Sequence, residues 1–155
     1  MTAIDIRKAV KDDIETIVAN NRAMAKETED RALDEAMVLA GTRNLFNDPQ
    51  KGFYLMAEQN GRIVGQLMIT SEWSDWRNAD IWWIQSVYVL PAARKQGVFR
   101  KLYQQLMSEV KSRDDICGLR LYTVKSNRNA QATYLALGMQ KAKYEMFEVD
   151  LSLRP

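Results

Sequence analysis

The first part of the chain changes from an alternating pattern to helical spacing. Ile4 to Arg7 alternates apolar and polar side chains, which predicts a strand. After Asp12 and Asp13, which are candidate caps, apolar residues recur three and four positions apart. The same spacing returns from Glu29 to Phe46, where Gly41 is a candidate break. One strand followed by two helices is therefore expected.

A hairpin and an apolar strand come next. The stretch GFYLMAEQNGRIVGQLMITSEW predicts two strands joined at Asn60-Gly61, a dipeptide that tolerates positive φ. The polar stretch SEWSDWRNAD is expected to be an exposed loop. The strand IWWIQSVYVL follows and ends at Pro91, and its apolar character on both faces favours the centre of a sheet.

The remaining elements alternate helix and strand. From Gly97 to Arg113 an apolar stripe predicts a long helix, through Val98, Leu102, Leu106 and Val110. GLRLYTVKS predicts a strand, Asn127 to Leu137 a helix closed by Gly138, and KYEMFEVDL a last strand. The predicted order is β α α β β β α β α β, in one domain over residues 1–155 with helices on both sides of a mixed α/β sheet.

Composition limits the chemistry. The chain has 155 residues, one cysteine and no histidine. These counts exclude Ser-His-Asp and Cys-His catalysis and multi-cysteine zinc clusters, so we expect no metal. The net charge of +2 is too small to indicate nucleic acid as a partner. No signal peptide and no run of about 20 apolar residues is found, so we expect a cytoplasmic protein without a membrane partner.

The stretch VYVLPAARKQGVFRKLY has the features of an anion site. A helix N-terminus exposes about four unpaired N–H groups and carries partial positive charge. Gly97 allows close approach of a ligand to the backbone, while Arg94, Lys95 and Arg100 add formal charge. A phosphate group is the expected guest. The alternative is that Gly97 only relieves a tight turn and that the cations are solvated.

Two motifs resemble the signatures of the GNAT acetyltransferase superfamily. Arg94-Lys95-Gln96-Gly97-Val98-Phe99 is similar to its coenzyme loop R/Q-x-x-G-x-G/A, with Phe99 as a departure at the last position. The segment NRNAQATYLALGMQ is similar to N-x-x-A-x-x-x-Y-x-x-x-G-F, through Asn127, Ala130, Tyr134 and Gly138. The resemblance covers about Ile4 to Leu151. We expect the Phe99 side chain to point away from the pyrophosphate, toward Leu102 and Tyr103.

The resemblance implies a fold, a cofactor and the residues that bind the cofactor. It implies a mixed, mostly antiparallel twisted sheet flanked by helices, which binds acetyl-CoA along a splayed strand from Ser86 to Leu90. Val87 N–H is then the donor to the thioester carbonyl, and Val89 pairs with the pantetheine amides. The coenzyme loop from Arg94 to Arg100 holds the pyrophosphate.

Two residues of the second motif also receive roles from the resemblance. Asn127 reaches the pantetheine, and Tyr134 lies near the coenzyme sulfur as general acid. The simpler alternatives are an N-cap role for Asn127 and a packing role for Tyr134.

The general base and the acceptor site are left open. Family members often use a carboxylate on the coenzyme strand, but IWWIQS has none. Candidate bases are Glu29, Glu72 and Asp75, with water or an already neutral amine as alternatives. Trp73 and Trp76 lie beside Glu72 and Asp75 and suit an organic cation, whereas Trp82 or Trp83 is expected in the core.

The leading hypothesis is an N-acetyltransferase that moves an acetyl group from acetyl-CoA to a small-molecule or peptide amine by direct attack. The alternative is a catalytically silent acyl-CoA-binding sensor or scaffold module, supported by the missing strand carboxylate. An RNA-binding domain is a weaker reading of the Arg94 to Arg100 cations. The expected partners are acetyl-CoA and an amine acceptor, and a homodimer is left open.

Overall fold

The computed structural model describes residues 3–152 as five strands and four α-helices. The elements are β1 (Asp5–Lys8), α1 (Ile14–Glu29), α2 (Glu35–Asn47), β2 (Phe53–Gln59), β3 (Arg62–Ser74), β4 (Ala79–Val89), α3 (Val98–Lys111), β5 (Ile116–Arg120) and α4 (Arg128–Ala136). Single 3₁₀ turns precede α1 at Lys11–Asp13 and follow β4 at Pro91–Ala93. Two compact units divide between Leu121 and Tyr122, and the single domain over residues 1–155 stays a prediction.

The N-terminal unit is built on a sheet with strand order β1-β2-β3-β4-β5. The first four strands pair antiparallel, and β5 is parallel to β4. This confirms the mixed, mostly antiparallel sheet. The hairpin at Asn60-Gly61 is also confirmed, because both residues have positive φ, 53° and 70°.

The loop predicted for SEWSDWRNAD is wrong in extent. β3 continues to Ser74 and β4 begins at Ala79, so the turn holds residues 75–78 alone. Trp73 pairs with Asp80 and Ser71 with Trp82. A strand needs only backbone partners and one buried face, so polar side chains on the exposed face do not end it.

Adjacent residues of β3 show that helices cover both faces of the sheet. Gln66 bonds to Asn20 and Asn21 of α1. At Gly65, a Cβ atom would lie 2.7 Å from Val98 Cγ1 of α3. Consecutive side chains of a strand point to opposite faces, so α1 and α3 lie on opposite sides. Gly65 leaves the space into which the first residue of α3 packs.

The apolar stripes form the core as expected. Val98, Leu102 and Leu106 of α3 are buried, and on the other face Ile17 packs with Tyr54 of β2. Truncating a buried leucine such as Leu102 to alanine typically costs about 2–5 kcal/mol. Gly41 does not break α2, which runs through it.

The capping expectation for α1 is wrong. Asp13 lies at its N-cap without a side-chain capping bond. Its carboxylate instead accepts from Arg7 at 2.7 and 2.9 Å and from the Val10 N–H at 2.8 Å. The hydrogen bond from Arg7 lowers the pKa of Asp13. Asp13 therefore closes the preceding 3₁₀ turn and holds β1.

The C-terminal unit contains α4, which begins and ends where the sequence predicts. Asn127 Oδ1 accepts from the Ala130 N–H at 3.1 Å. Gly138, at φ 90°, closes the helix with bonds from Gly138 N to Leu135 O and from Met139 N to Tyr134 O, which form a Schellman motif.

Two strand predictions in the last part of the chain are wrong. β5 begins at Ile116 and ends at Arg120, instead of covering residues 118–126. The predicted last strand, at residues 143–151, is not formed, and Phe147 and Val149 are exposed there. Alternation determines which side chains share a face, but a strand also requires a paired neighbour.

Candidate active site

A β-bulge in β4 is the first feature of the site. Gln66 pairs with Tyr88 and Met68 with Gln85, so one residue of β3 is opposite two residues of β4, Ser86 and Val87. Ser86 has φ 51°, in the left-handed region that costs a non-glycine residue about 1–2 kcal/mol. The surrounding structure must therefore hold this conformation in place.

Buried polar side chains hold the bulge. Gln66 is fully buried, and its Nε2 donates to Asn21 Oδ1 at 2.9 Å and lies 3.5 Å from the Ser86 carbonyl oxygen. Asn20 Nδ2 donates to Gln66 Oε1 at 2.9 Å, and Asn21 Nδ2 donates to the Tyr54 hydroxyl at 3.0 Å. Burial raises the pKa of Tyr54, while hydrogen bonds with Asn21 and Ser86 act the other way. These four side chains thus fix the bulge to α1 and β2.

Sequence reasoning missed this network. The sequence pattern that indicates this network is Gln66, a single amide inside the apolar run from Ile63 to Ile69, together with the pair Asn20-Asn21 beside the apolar stripe of α1. A polar side chain at a core position needs a buried partner, and here the two positions supply each other.

The edge of β4 beyond the bulge faces away from β3. Leu90 N–H donates to the Val64 carbonyl at 2.9 Å, so the N–H of Val89 points to the opposite edge. Within the described chain, β5 pairs with β4 at residues 80–83 and does not reach this part. The backbone of Val87 and Val89 therefore lies along a strand edge to which β5 adds no partner.

The N-terminus of α3 has no side-chain cap. Gly97 occupies the N-cap position at φ 80°, and the first helical bond runs from Lys101 N to Gly97 O at 3.0 Å. The three preceding N–H groups of the helix, on Val98, Phe99 and Arg100, are therefore outside the helical ladder. A Cβ on Gly97 would meet no protein atom within 4 Å, so the positive φ and not crowding favours glycine.

Arg94 does not project freely toward this helix end. Its Nη2 lies 2.6 Å from Glu27 Oε2, its Nε donates to the Val89 carbonyl at 3.0 Å, and its guanidinium covers the Tyr88 ring. The Tyr88 hydroxyl donates to Glu27 Oε1 at 2.8 Å. Hydrogen bonds from Arg94 and then Tyr88 lower the pKa of Glu27. We call Glu27, Tyr88 and Arg94 the carboxylate clip, which joins the end of α1 to β4 and the coenzyme loop.

The other loop residues divide between charge and packing. Lys95 and Arg100 are exposed, and neither forms an ion pair within residues 3–152. Gln96 Nε2 donates to the Ala92 carbonyl at 2.8 Å. The Phe99 ring lies beside Tyr103, with ring centroids 6.3 Å apart, as expected. Lys95 and Arg100 are thus the cations left for an anion.

In the C-terminal unit, Asn127 performs the capping role that was one of its two alternatives. Tyr134 lies on α4 and is half-buried, and burial raises its pKa. The hydroxyl is therefore protonated at neutral pH. The coenzyme contacts assigned to these two residues stay predictions.

The residues expected to bind the acceptor are exposed. Trp73 and Trp76 are 64% and 90% exposed, Asp75 lies in the turn, and Glu72 is paired with Arg120 at 2.9 Å. Trp73 is five residues along β3 from Met68, about 17 Å from the level of the bulge. Glu29 is the exposed last residue of α1. Their acceptor role stays a prediction, whereas the core role of Trp82 is confirmed because it is buried.

Within residues 3–152, neither a membrane-spanning helix nor a metal-ligand cluster is found. None of the helices within residues 3–152 is both long and apolar enough to cross a bilayer. Across the same residues, no three carboxylate or thiol side chains cluster as ligands for a metal ion.

Comparison with known proteins was made by family and by structure. A model of the acetyltransferase (GNAT) family matches residues 14–139, and no curated protein matches the chain. A possible acetyltransferase from Clostridium difficile 630 is 41% identical and has a TM-score of 0.89, over 96% of this chain and 97% of that chain.

More distant structures share the fold. An aminoglycoside N-acetyltransferase in complex with CoA has a TM-score of 0.76 at 17% identity, over 97% of both chains. A ribosomal-protein-alanine N-acetyltransferase from Brucella melitensis biovar Abortus 2308 has a TM-score of 0.76 at 15% identity, over 96% of this chain and 100% of that chain. The family match over most of the sequence and the 41% identical structure show that the chain belongs to the acetyltransferase (GNAT) family.

Proposed function

We propose that the protein transfers the acetyl group of acetyl-CoA to the nitrogen of an amine by direct attack, and releases CoA. The observation that carries the proposal is the uncapped start of α3 at Gly97, which follows the strand edge that β5 leaves without a partner. A phosphate group and an amide-containing arm are the ligands that these two features suit. Membership of the GNAT family supports the same conclusion.

The coenzyme loop would bind the pyrophosphate of acetyl-CoA. The N–H groups of Val98, Phe99 and Arg100 donate to its oxygens, and Lys95 adds charge. Because Arg94 is neutralised by Glu27, its role is to position the loop relative to β4. The N–H of Val89 pairs with a pantetheine carbonyl along the strand edge.

Two groups act on the reacting atoms in this proposal. Acetyl-CoA supplies the acetyl group as a thioester. Val87 N–H stabilises the negative charge that develops on the thioester oxygen as the nitrogen–carbon bond forms, and such donors are worth about 3 kcal/mol. The carbon–sulfur bond then breaks, and Tyr134 donates a proton or a hydrogen bond to the leaving thiolate.

The residues of β4 directly before Val87 offer no carboxylate to accept the proton of the amine. Gln85 and Ser86 occupy the positions before Val87, and both are uncharged. A primary amine has a pKa near 10, so the attacking form must first lose a proton. We assign this proton to water; an amine whose own pKa is low is already neutral and has no proton to lose before it attacks.

The acceptor is not determined by the fold. Two structures of the same fold, at 17% and 15% identity, are named for an aminoglycoside and for a ribosomal-protein alanine. If Trp73 and Asp75 select cationic acceptors, Trp73→Ala with Asp75→Asn raises the KM for such an acceptor and leaves the KM for acetyl-CoA unchanged. The cytoplasmic location and the homodimer stay predictions.

The experiment is an assay of free CoA thiol with acetyl-CoA and a panel of amines, next to calorimetry of acetyl-CoA binding. Amine-dependent thiol release with detection of the N-acetyl product supports the proposal. Binding of acetyl-CoA without release for every amine would favour the silent sensor or scaffold module. RNA binding with a steep salt dependence, and no coenzyme binding, would favour an RNA-binding domain.

A further inference from the structure

A cavity of about 200 Å³ lies between α2 and the sheet face that carries α1. The α2 side is formed by Val38, Gly41, Thr42 and Leu45. Gly41 is exposed as well as cavity-lining, so the cavity reaches the surface beside it. Nothing in the mechanism above uses this cavity.

The floor of the cavity adjoins the β-bulge. Met68 lines it and pairs with Gln85, the residue before Ser86. Tyr54 also lines it and is hydrogen-bonded to Asn21 and to the Ser86 side chain. A group bound in the cavity would therefore lie next to the strand segment that leads into Val87.

The lining is uncharged and mostly apolar. Its polar side chains already have partners: Thr42 Oγ1 donates to the Val38 carbonyl at 2.8 Å, and Asn21 bonds to Gln66 and Tyr54. In the described part of the chain, no buried side-chain nitrogen or oxygen lacks a hydrogen-bond partner. A ligand gains here by filling apolar volume, and an engineered apolar cavity of about 150 Å³ already accepts benzene.

Gly41 has no evident role in the fold. It lies in the interior of α2, where glycine is the least favourable residue after proline. A Cβ at this position would meet no atom within 4 Å, so neither packing nor a positive φ requires glycine. The absence of a side chain does, however, keep the cavity open at its mouth.

We propose that this cavity is the acceptor subsite, and that it receives an uncharged apolar group, such as a phenyl ring or a branched four-carbon chain, from the amine substrate. Gly41 sets the size of that group. The inference rests on the proposed function and specifies its substrate class: a hydrophobic primary amine in preference to a polycationic one.

The test compares Gly41→Leu with Ala40→Leu, which adds the same side chain to the neighbouring exposed position of α2. Phenethylamine, 3-methylbutylamine, ethylamine and spermidine are the probes. In the parent, kcat/KM is highest for the first two. Gly41→Leu raises their KM at least tenfold, and leaves the KM for acetyl-CoA and kcat/KM for ethylamine unchanged. Ala40→Leu matches the parent, and Gly41→Ala has a melting temperature at or above that of the parent.

Binding of phenethylamine, followed by chemical-shift changes at Thr42 and Leu45, separates this inference from the proposed function. Acetylation that prefers spermidine, or that Gly41→Leu and Ala40→Leu alter equally, overturns the subsite and leaves the function standing. If no amine is acetylated, the function fails. Saturable shifts that are lost in Gly41→Leu would then still support the cavity as a binding site, and their absence in the parent would overturn it.

Discussion

The starts of α2 and α3 differ in how their N–H groups are satisfied. At α2, Asp34 is the N-cap, and its Oδ1 accepts from the Met37 N–H at 2.7 Å. At α3, the N-cap is Gly97, which has no side chain and a positive φ of 80°. α4 resembles α2, because Asn127 caps it.

The difference shows which helix start is available to a ligand. A capping side chain satisfies one of the N–H groups of a helix start, and at α2 the cap itself carries negative charge. The start of α3 has no side-chain cap, and Lys95 and Arg100 lie nearby without ion-pair partners within the described residues. Glycine at an N-cap costs only about a few tenths of a kcal/mol relative to a capping side chain, and an anion bound at this helix end is favourable.

The largest expected effect is on kcat and concerns α4. Because Asn127 caps the start of this helix, we expect its contribution to catalysis to come from a side chain, that of Tyr134. Tyr134→Phe keeps the ring and removes the hydroxyl. We expect kcat to fall about 10²–10⁴-fold, as is typical for loss of a general acid, with little change in the dissociation constant of acetyl-CoA. A loss below about tenfold would mean that the hydroxyl only hydrogen-bonds to the thiolate; unchanged kcat with reduced stability would assign Tyr134 to packing.

The next effect converts the start of α3 into a start like that of α2. Gly97→Asp supplies a cap and a negative charge, and we expect it to weaken acetyl-CoA binding about 100-fold. Gly97→Asn is the matched control, because it caps in the same way, tolerates positive φ and carries no charge. Calorimetry should rank the parent tightest, then Asn, then Asp. Equal affinity in all three folded proteins would place the phosphates elsewhere.

The reverse change at α2 affects stability alone. Asp34→Ala removes the bond to Met37, and we expect the free energy of unfolding to fall by about 1 kcal/mol. The dissociation constant of acetyl-CoA should not change, since this helix start binds no ligand in our account. Denaturant unfolding and calorimetry measure the two quantities. A parallel loss of coenzyme affinity would show that the helix starts are not independent.

The smallest effect comes from the carboxylate clip. Arg94 lowers the pKa of Glu27, so the clip stabilises the folded state above the unfolded pKa of about 4.3, and this contribution is lost as pH falls through the lower folded value. Both side chains are partly exposed, at 45% and 40%, so the contribution is at most about 1 kcal/mol. Glu27→Gln should thus be slightly less stable than the parent at pH 7, and this difference should be smaller at pH 3, by denaturant unfolding. The same difference at both pH values would mean that charge is not its cause.

Local signals in the sequence predicted much of this structure. Asn60-Gly61 specifies its turn because both residues tolerate positive φ, and the stripe of Val98, Leu102 and Leu106 specifies the buried face of α3. The turn at Gly97 into α3 was predicted in the same way, since a glycine between a strand and a helix is itself a local signal, and its coenzyme role stays a prediction.

Features that join distant parts of the chain could not be predicted in this way. The pairing of Arg94 with Glu27, 67 residues away, has no local signal, and the phosphate contact of Arg94 stays a prediction. The bulge at Ser86 is held by side chains distant in the sequence, Gln66 of β3 and the asparagines of α1 that bond to it. The prediction of a last strand was wrong for the same reason, because an alternating pattern does not show which strand would pair with it.

The most direct test of the central claim is a titration of the ¹⁵N-labelled protein with acetyl-CoA, followed through its amide signals. We predict saturable shifts of the amide signals of Val98, Phe99 and Arg100, which are outside the helical ladder, and no shift of the Met37 amide, which Asp34 already binds. Saturation of binding without movement of the three α3 amides would contradict the claim that the bare start of α3 holds the coenzyme.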